Sequence, residues 1–243
     1  VVLSAFLLWA HYAWAIYVLL AVAISYTVLL AYGSYAITWN FYLNSLHQSL
    51  TKKKTISLSF DDGPHEHTLS ILALLKKYNV KATFFIIGKQ VQSNSQVLKQ
   101  IIEDGHEIGN HTYEHSYVSS FYSEARLQNE LLKCNQVVYE ETGLKMKLFR
   151  PTFGVTTPTI ARVIQRLGFS SIGWSFRSYD TTAKSVDRIV EAMNKNIQGG
   201  DIILLHDNRA KAVDILERIL PQLQIKFQLV KVSDLLDIKA YDE

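Results

Sequence analysis

Two adjacent carboxylates, Asp61 and Asp62, close the run Ser57-Leu58-Ser59-Phe60 and lead into Gly63-Pro64. Strand period two sends neighbouring side chains to opposite sides, so the pair can do two different jobs, one ligating a metal while the other takes a proton. Asp-Gly-Pro is also ordinary turn chemistry, and that reading stands beside the first. His111 and His115 are spaced i, i+4 in His111-Thr112-Tyr113-Glu114-His115. On one helical turn that spacing puts two imidazoles on one face, as zinc sites do. With 8 histidines in the chain, a chance pair is the competing reading. Joined by an aspartate from another strand end, the set becomes two His and one carboxylate with positions left for water. Such a site polarises a carbonyl and lowers the pKa of water. The zinc-protease pattern needs a glutamate directly after its first His, where Thr112 stands, which argues against a metalloprotease.

Leu205-His206-Asp207 ends the most strongly apolar strand candidate, 202–205. A histidine there can act as general acid, and Asp180 can hold or tune it; a satisfied core histidine is the alternative. Arg150 follows Leu148-Phe149 and can orient a catalytic carboxylate by a charge-assisted bond, or serve as a surface ion-pair partner.

Strands are expected at 55–60, 82–87, 106–110, 148–150, 170–174, 201–206 and 228–232. Helices are expected between them at 68–78, 95–104, 123–142, 157–167, 185–196 and 210–223. In the first of these, Ile71, Leu72, Leu74 and Leu75 form one apolar stripe, with Lys76 and Lys77 off it. The alternation predicts an α/β fold, and seven repeats favour a distorted (β/α) barrel of about seven strands over an open sheet. The chemically interesting residues then fall at the C-terminal strand ends, the edge where barrel active sites assemble.

Hydrophobicity is concentrated at the front. Residues 1–39 contain no Lys, Arg, Asp or Glu, and 12–37 is nearly all apolar or aromatic. About 20 helical residues cross a bilayer, so a transmembrane helical segment is expected within 1–43, with a polar connector at 44–54 and the catalytic domain at 55–243. Tyr12, Trp14, Tyr35, Trp39 and Tyr42 suit interfacial anchors. The apolar stretch 1–10 reads as the end of an earlier span, with a tight hairpin near His11. A signal peptide would want a charged start and a shorter apolar region. Lys52–Lys54, taken alone, would place the domain in the cytoplasm. With 25 Lys+Arg against 22 Asp+Glu, the net charge of +3 gives no nucleic-acid partner, and no obligate protein partner is implied. The single cysteine, Cys134, excludes an internal disulfide framework and a thiolate-rich metal site, and reads as a buried small hydrophobe.

The motifs resemble those of the polysaccharide deacetylases of carbohydrate esterase family 4, the NodB-homology domain, over roughly 54–239. They stand here as Ser59-Phe60-Asp61-Asp62-Gly63-Pro64, Gly109-Asn110-His111-Thr112-Tyr113-Glu114-His115, Phe149-Arg150-Pro151-Thr152-Phe153-Gly154 and Leu204-Leu205-His206-Asp207. The resemblance implies Asp61 as general base, Asp62, His111 and His115 as metal ligands, and Arg150 orienting Asp61. It further implies His206 as general acid tuned by Asp180, the Phe153 backbone amide on the oxyanion, and Leu205 lining the acetyl pocket. Zn²⁺ is the default metal, with Co²⁺, Ni²⁺ or Mn²⁺ also fitting the donors. The implied substrate is a polysaccharide such as peptidoglycan or a chitin-like glycan, N-acetyl ahead of O-acetyl, which places the domain outside the membrane. Two departures bear on groove shape: Thr152 replaces a proline, and Thr181 rather than tryptophan follows Asp180, leaving open whether Trp174 compensates. Two rival classes share the residues. A non-haem iron oxygenase uses the same two-His-one-carboxylate triad, usually on a β-sandwich. An inactive carbohydrate-binding relic would show losses among Asp61, Asp62, His111, His115 and His206, and none is lost.

Overall fold

The computed structural model describes residues 2–183 and 185–242. Its sheet is organised around β1, Thr55–Gly63, which is buried along almost its whole length. A strand covered on both sides reads as a continuous buried run, as strands of parallel sheets do. Ile56, Leu58 and Phe60 enter a core shared with Ile71 and Leu75 of α2 (Glu66–Lys77) and Ile215, Leu216 and Ile219 of α8 (Ala210–Lys226). Each fully buried side chain of this size contributes about 1.5–3 kcal/mol. Ser59 and Asp61 point the other way and meet Arg150.

From β1 the sheet runs outward through β2 (Thr83–Ile86), β3 (Glu107–Asn110), β4 (Leu148–Phe149) and β5 (Ser170–Ser171). On the other side lie β7 (Ile202–His206) and then β6 (Phe176–Arg177). The last strand, β8 (Gln228–Val230), pairs with the beginning of β1, Thr55 to Ser57. All these strand pairings are parallel. The helices lie between strands, as the alternation predicts: α3 (Gly88–Val91), α4 (Ser95–Glu103), α5 (Glu124–Thr142), α6 (Pro158–Leu167), α7 (Val186–Asn196) and finally α9 (Val232–Leu236). Their ends follow local chemistry. Thr157 caps α6 by accepting the Ile160 N–H, Pro158 opens it, and Gly168, at φ 67°, ends it.

Two short helices, α3 and α9, and the two-residue β6 add to the elements expected from periodicity. They are too short to carry a period. The strand expected at 170–174 stops at Ser171, and the one expected at 228–232 stops at Val230, just before α9.

The ends of the sheet do not meet directly. The segment before β1 crosses the gap: Leu46 donates to the Ser171 carbonyl and accepts from the Gly173 N–H, and Ser49 donates to the Gly200 carbonyl. Gly200 has φ +96°, and a Cβ there would lie 1.9 Å from the Ser49 oxygen, so glycine is required for the close passage. The polar run 44–54 is therefore bonded into the open side of the barrel.

Ahead of it, α1 is one continuous helix, Val2–Tyr35. This corrects the expected hairpin near His11: no Gly, Pro, Asn or Asp stands near that position to turn the chain. Trp14–Tyr35 is 22 residues long with a mean hydropathy of 2.2, long and apolar enough to cross a membrane.

Candidate active site

Asp61 lies level with His206 across β1 and β7, which sets both side chains on the same side at the C-terminal edge. Alternation would turn Asp62 away, as the sequence suggests. Instead β1 bulges between Asp61 and Gly63, and Asp62 takes φ 80°. The extra residue swings its carboxylate back, so that Asp61 Oδ2 and Asp62 Oδ1 each stand 3.7 Å from His111 Nε2.

His111 and His115 meet as expected, with ring centroids 4.7 Å apart, but not on a helix. They sit on a loop leaving β3, with Thr112 at φ 68° and His115 at φ 52°. The loop is pinned from outside. Glu130 of α5 accepts the N–H groups of Tyr113 and Glu114, and Asn110 Oδ1 accepts that of Thr112. Asn110 in turn donates to the Leu131 carbonyl and to Asn135 Oδ1 on α5.

The donor set can be tested against a metal ion. His111 Nδ1 lies 2.8 Å from the Arg150 carbonyl, which can only accept. Nδ1 therefore carries the proton, and the Nε2 lone pair faces the carboxylates, the arrangement metal-binding histidines use. Burial first, then the neighbouring His111, lowers the His115 pKa to about 4, so His115 is neutral at neutral pH. Its Nε2 stands 3.4 Å from Asp62 Oδ1. Two ligands about 2.1 Å from a tetrahedral ion are separated by about 3.4 Å. The ligand atoms of Asp62, His111 and His115 all lie within 4.8 Å of one another, and the three fit a divalent ion. Asn208 Nδ2 donates to Asp62 Oδ2 at 3.2 Å, fixing the other oxygen of that carboxylate.

Arg150 is fully buried, which removes the surface ion-pair reading. Its Nη1 donates to Asp61 Oδ1 at 2.8 Å and Ser59 Oγ at 2.9 Å, while Nε and Nη2 donate to the carbonyls of Ile172 and Gly173. Burial alone would raise the Asp61 pKa; the Arg150 charge, with His111 and His206, outweighs it and holds the carboxyl below its usual value. Asp180, also buried, accepts the His206 backbone N–H at 2.8 Å and faces its Nδ1 at 2.9 Å. Burial works to lower the His206 pKa, but the hydrogen bond and charge of Asp180 prevail and raise it.

A cavity of about 470 Å³ opens over these groups, lined among others by Asp61, Asp62, His111, His115, His206 and Phe153. Phe153 sits at φ 57° with its ring against His115. Trp174 and Thr181 line the cavity too. The expectation for Leu205 needs correction. On β7 it is Leu204, two residues before His206, that lines the cavity, while Leu205 faces the helix-covered core. Asp207 and Asn208 are the residues the sequence reading missed. Asp207 is fully buried under Gly63, accepts from Thr68 Oγ1 at 2.6 Å, and is pushed up to about 7 by burial. The signal for both was their place at the same strand end as His206.

A parallel barrel whose mouth gathers a divalent-ion donor set beside a clamped carboxylate and a clamped imidazole belongs to the metal-assisted hydrolases. Comparison with known proteins narrows the class. The polysaccharide deacetylase family matches residues 48–172. The peptidoglycan-N-acetylglucosamine deacetylase of Bacillus cereus is 38% identical over 194 residues, covering 77% of this chain and 90% of that protein. The peptidoglycan-N-acetylmuramic acid deacetylase of Bacillus subtilis is 34% identical over 182 residues, covering 72% and 67%. A crystal structure of a peptidoglycan N-acetylglucosamine deacetylase superposes with a TM-score of 0.77 at 30% identity, covering 82% of this chain and 95% of that one. The chain belongs to the polysaccharide deacetylase family and is a carbohydrate deacetylase.

Proposed function

We propose that the chain removes N-acetyl groups from amino sugars of a cell-envelope glycan, peptidoglycan first, with Asp62, His111 and His115 holding the divalent ion. The observation that carries this reading is the convergence of those three donors in one cavity with the Arg150–Asp61 and Asp180–His206 pairs. When bound, the ion supplies positive charge that polarises the acetyl carbonyl and acidifies water. Zn²⁺ suits two imidazoles and a carboxylate, and Co²⁺, Ni²⁺ and Mn²⁺ fit the same donors.

The chain's own residues supply the rest. Asp61 has one oxygen held by Arg150 and the other facing the cavity, so it stays ionised and takes the proton of the attacking water. The Phe153 backbone N–H stabilises the oxyanion as the tetrahedral centre forms. His206, whose pKa is raised by the hydrogen bond and charge of Asp180, delivers its proton to the departing sugar nitrogen. Leu204 takes the place against the acetyl methyl group that the sequence reading gave to Leu205. α1 anchors the enzyme in the membrane with the catalytic domain on the extracytoplasmic side, where such glycans lie.

Retention of all five residues, assembled within reach of one another, argues against a binding relic. The parallel barrel and the family argue against an iron oxygenase. The test is acetate release by the full chain in detergent from a panel of acetylated glycans (peptidoglycan, chitin oligosaccharide, acetylated xylan), with and without chelator. Chelator-sensitive release from the amino-sugar glycans supports the reading. Release only from xylan would turn it toward O-deacetylation.

A further inference from the structure

The last turn of α1 is built into the mouth of the barrel. The Ser34 carbonyl accepts the Thr156 N–H at 2.9 Å, and Thr156 lies three residues beyond Phe153. Ile37, just past the helix, is buried, 3.4 Å from where a Cβ on Gly173 would stand. Asn40, at φ 54°, turns the chain and accepts the Ser45 N–H at 2.8 Å. The joint is thus ordered rather than a free tether. A small pocket beside it, formed by Tyr35, Ile37 and Thr38, shares Trp174 and Arg177 with the catalytic cavity. Those two side chains border both the pocket at the helix end and the catalytic cavity.

The apolar run of α1 ends at Tyr35, and none of its spanning window is buried against the rest of the chain. At 1.5 Å per residue the 22 residues Trp14–Tyr35 cover about 33 Å, enough to cross a hydrocarbon core of about 30 Å. An interfacial aromatic cluster, Tyr32, Trp39, Phe41 and Tyr42, wraps that end. Among the described residues, the contacts that tie the helix to the domain come from its last turn, at the mouth edge, and a bilayer around the span then lies beyond that edge. Other exposed apolar side chains share the same edge. Tyr117 is 87% exposed and stacks on Phe153, and Val118 and Phe121, the latter 88% exposed, follow on the loop that leaves His115. Arg177, stacked between Trp174 and Tyr179, keeps a buried Nε without a partner.

We propose that the mouth of the barrel rests on the headgroup layer of the bilayer that α1 spans, with Val118 and Phe121 dipping into it. The enzyme then deacetylates amino sugars carried on a lipid at that surface rather than in polymer held away from it. This deepens the functional reading above and rests on it. Aromatic and aliphatic side chains at this depth gain by leaving water.

The test uses the full chain in vesicles of phosphatidylethanolamine and phosphatidylglycerol. Phe121→Cys takes an environment-sensitive fluorophore, since Cys134 is buried and unreactive; Gln228→Cys, at the opposite strand end, is the control. Nitroxide lipids labelled in the headgroup should quench the probe at 121 and spare the one at 228. An N-acetylglucosamine tetramer coupled directly to phosphatidylethanolamine should be deacetylated at least about tenfold faster than one lifted from the surface by a long polyethylene glycol spacer. Phe121→Asp should abolish that preference while turnover of the free tetramer in detergent stays unchanged. Equal quenching at 121 and 228, or faster turnover of the lifted sugar, overturns the proposal. A chain washed from vesicles by alkaline carbonate, or inactive on every free glycan, would instead remove the anchoring or deacetylase reading beneath it.

Discussion

Replacing Asp180 with asparagine removes one charge and almost no volume. Both oxygens of Asp180 are committed: Oδ2 accepts the His206 backbone N–H, and Oδ1 faces His206 Nδ1 while accepting from Ser178 Oγ at 2.8 Å. Asparagine has one oxygen and one NH₂. With its oxygen kept on the backbone N–H, the NH₂ faces Nδ1, which must give up its proton. With the oxygen turned to Nδ1, two N–H groups oppose each other at the backbone. Either arrangement costs the imidazolium its charged acceptor, a bond worth about 1.5–3 kcal/mol. Near neutral pH, kcat/KM should fall roughly 10- to 150-fold. The pH dependence has a defined sign. His206 acts in its protonated form, so activity is present below its pKa and lost as pH rises through it. With Asp180 raising that pKa, the alkaline limb of the wild-type profile lies above the ordinary value of 6.5, and in Asp180→Asn it moves to lower pH. The assay is initial acetate release from an N-acetylglucosamine tetramer across pH, with bound metal measured in parallel. An Asp180→Asn enzyme within about twofold of wild type, with its alkaline limb unmoved, would refute the proposed tuning of His206.

Arg150→Met strands the buried Asp61 charge and should cost about 3–5 kcal/mol of stability, read as a lower urea midpoint; adding Asp61→Leu should recover part of it. The same Arg150→Met enzyme should lose activity on acidification earlier than wild type, because Asp61 must be ionised and no longer has the guanidinium beside it. Gly63→Ala places a Cβ 2.1 Å from Asp207 Oδ2, so it should weaken metal binding and turnover together by disturbing the bulge that aims Asp62, whereas Gly143→Ala, at φ +70° on the C-cap of α5, should cost stability but leave both intact. Leu204→Ala should impair turnover of the acetylated tetramer more than Leu205→Ala at matched loss of stability, measured as kcat/KM beside the urea midpoint.

The barrel was legible because its strands are continuous apolar runs ending in polar residues, and its helices carry one-sided stripes. The candidate residues that converge on the cavity stood out because Asp, His and Arg at strand ends are expensive to bury without partners. What escaped was set by contacts distant in sequence. The His111–His115 loop takes its shape from Glu130 and Asn110 bonding to backbone, so an i, i+4 spacing that suggests a helix is used by left-handed turns instead. The bulge at Asp62 breaks strand alternation by one residue, and nothing in Asp-Asp-Gly-Pro distinguishes it from a plain strand end. Leu204 and Leu205 are chemically identical neighbours, and only the placement of β7 in the sheet decides which lines the cavity. The crossing of 44–54 over the open side of the barrel depends on Gly200, some 150 residues downstream, and was invisible to composition.

Asp62, rather than its neighbour, is the proposed ligand to the divalent ion that turnover requires. Metal content per chain, measured by mass spectrometry after dialysis against trace Zn²⁺, addresses this directly when paired with acetate release. Wild type should hold one ion, Asp62→Ala should lose both ion and activity, and Asp61→Asn should keep the ion while losing turnover. An Asp62→Ala protein that stays loaded and active would contradict the assignment outright.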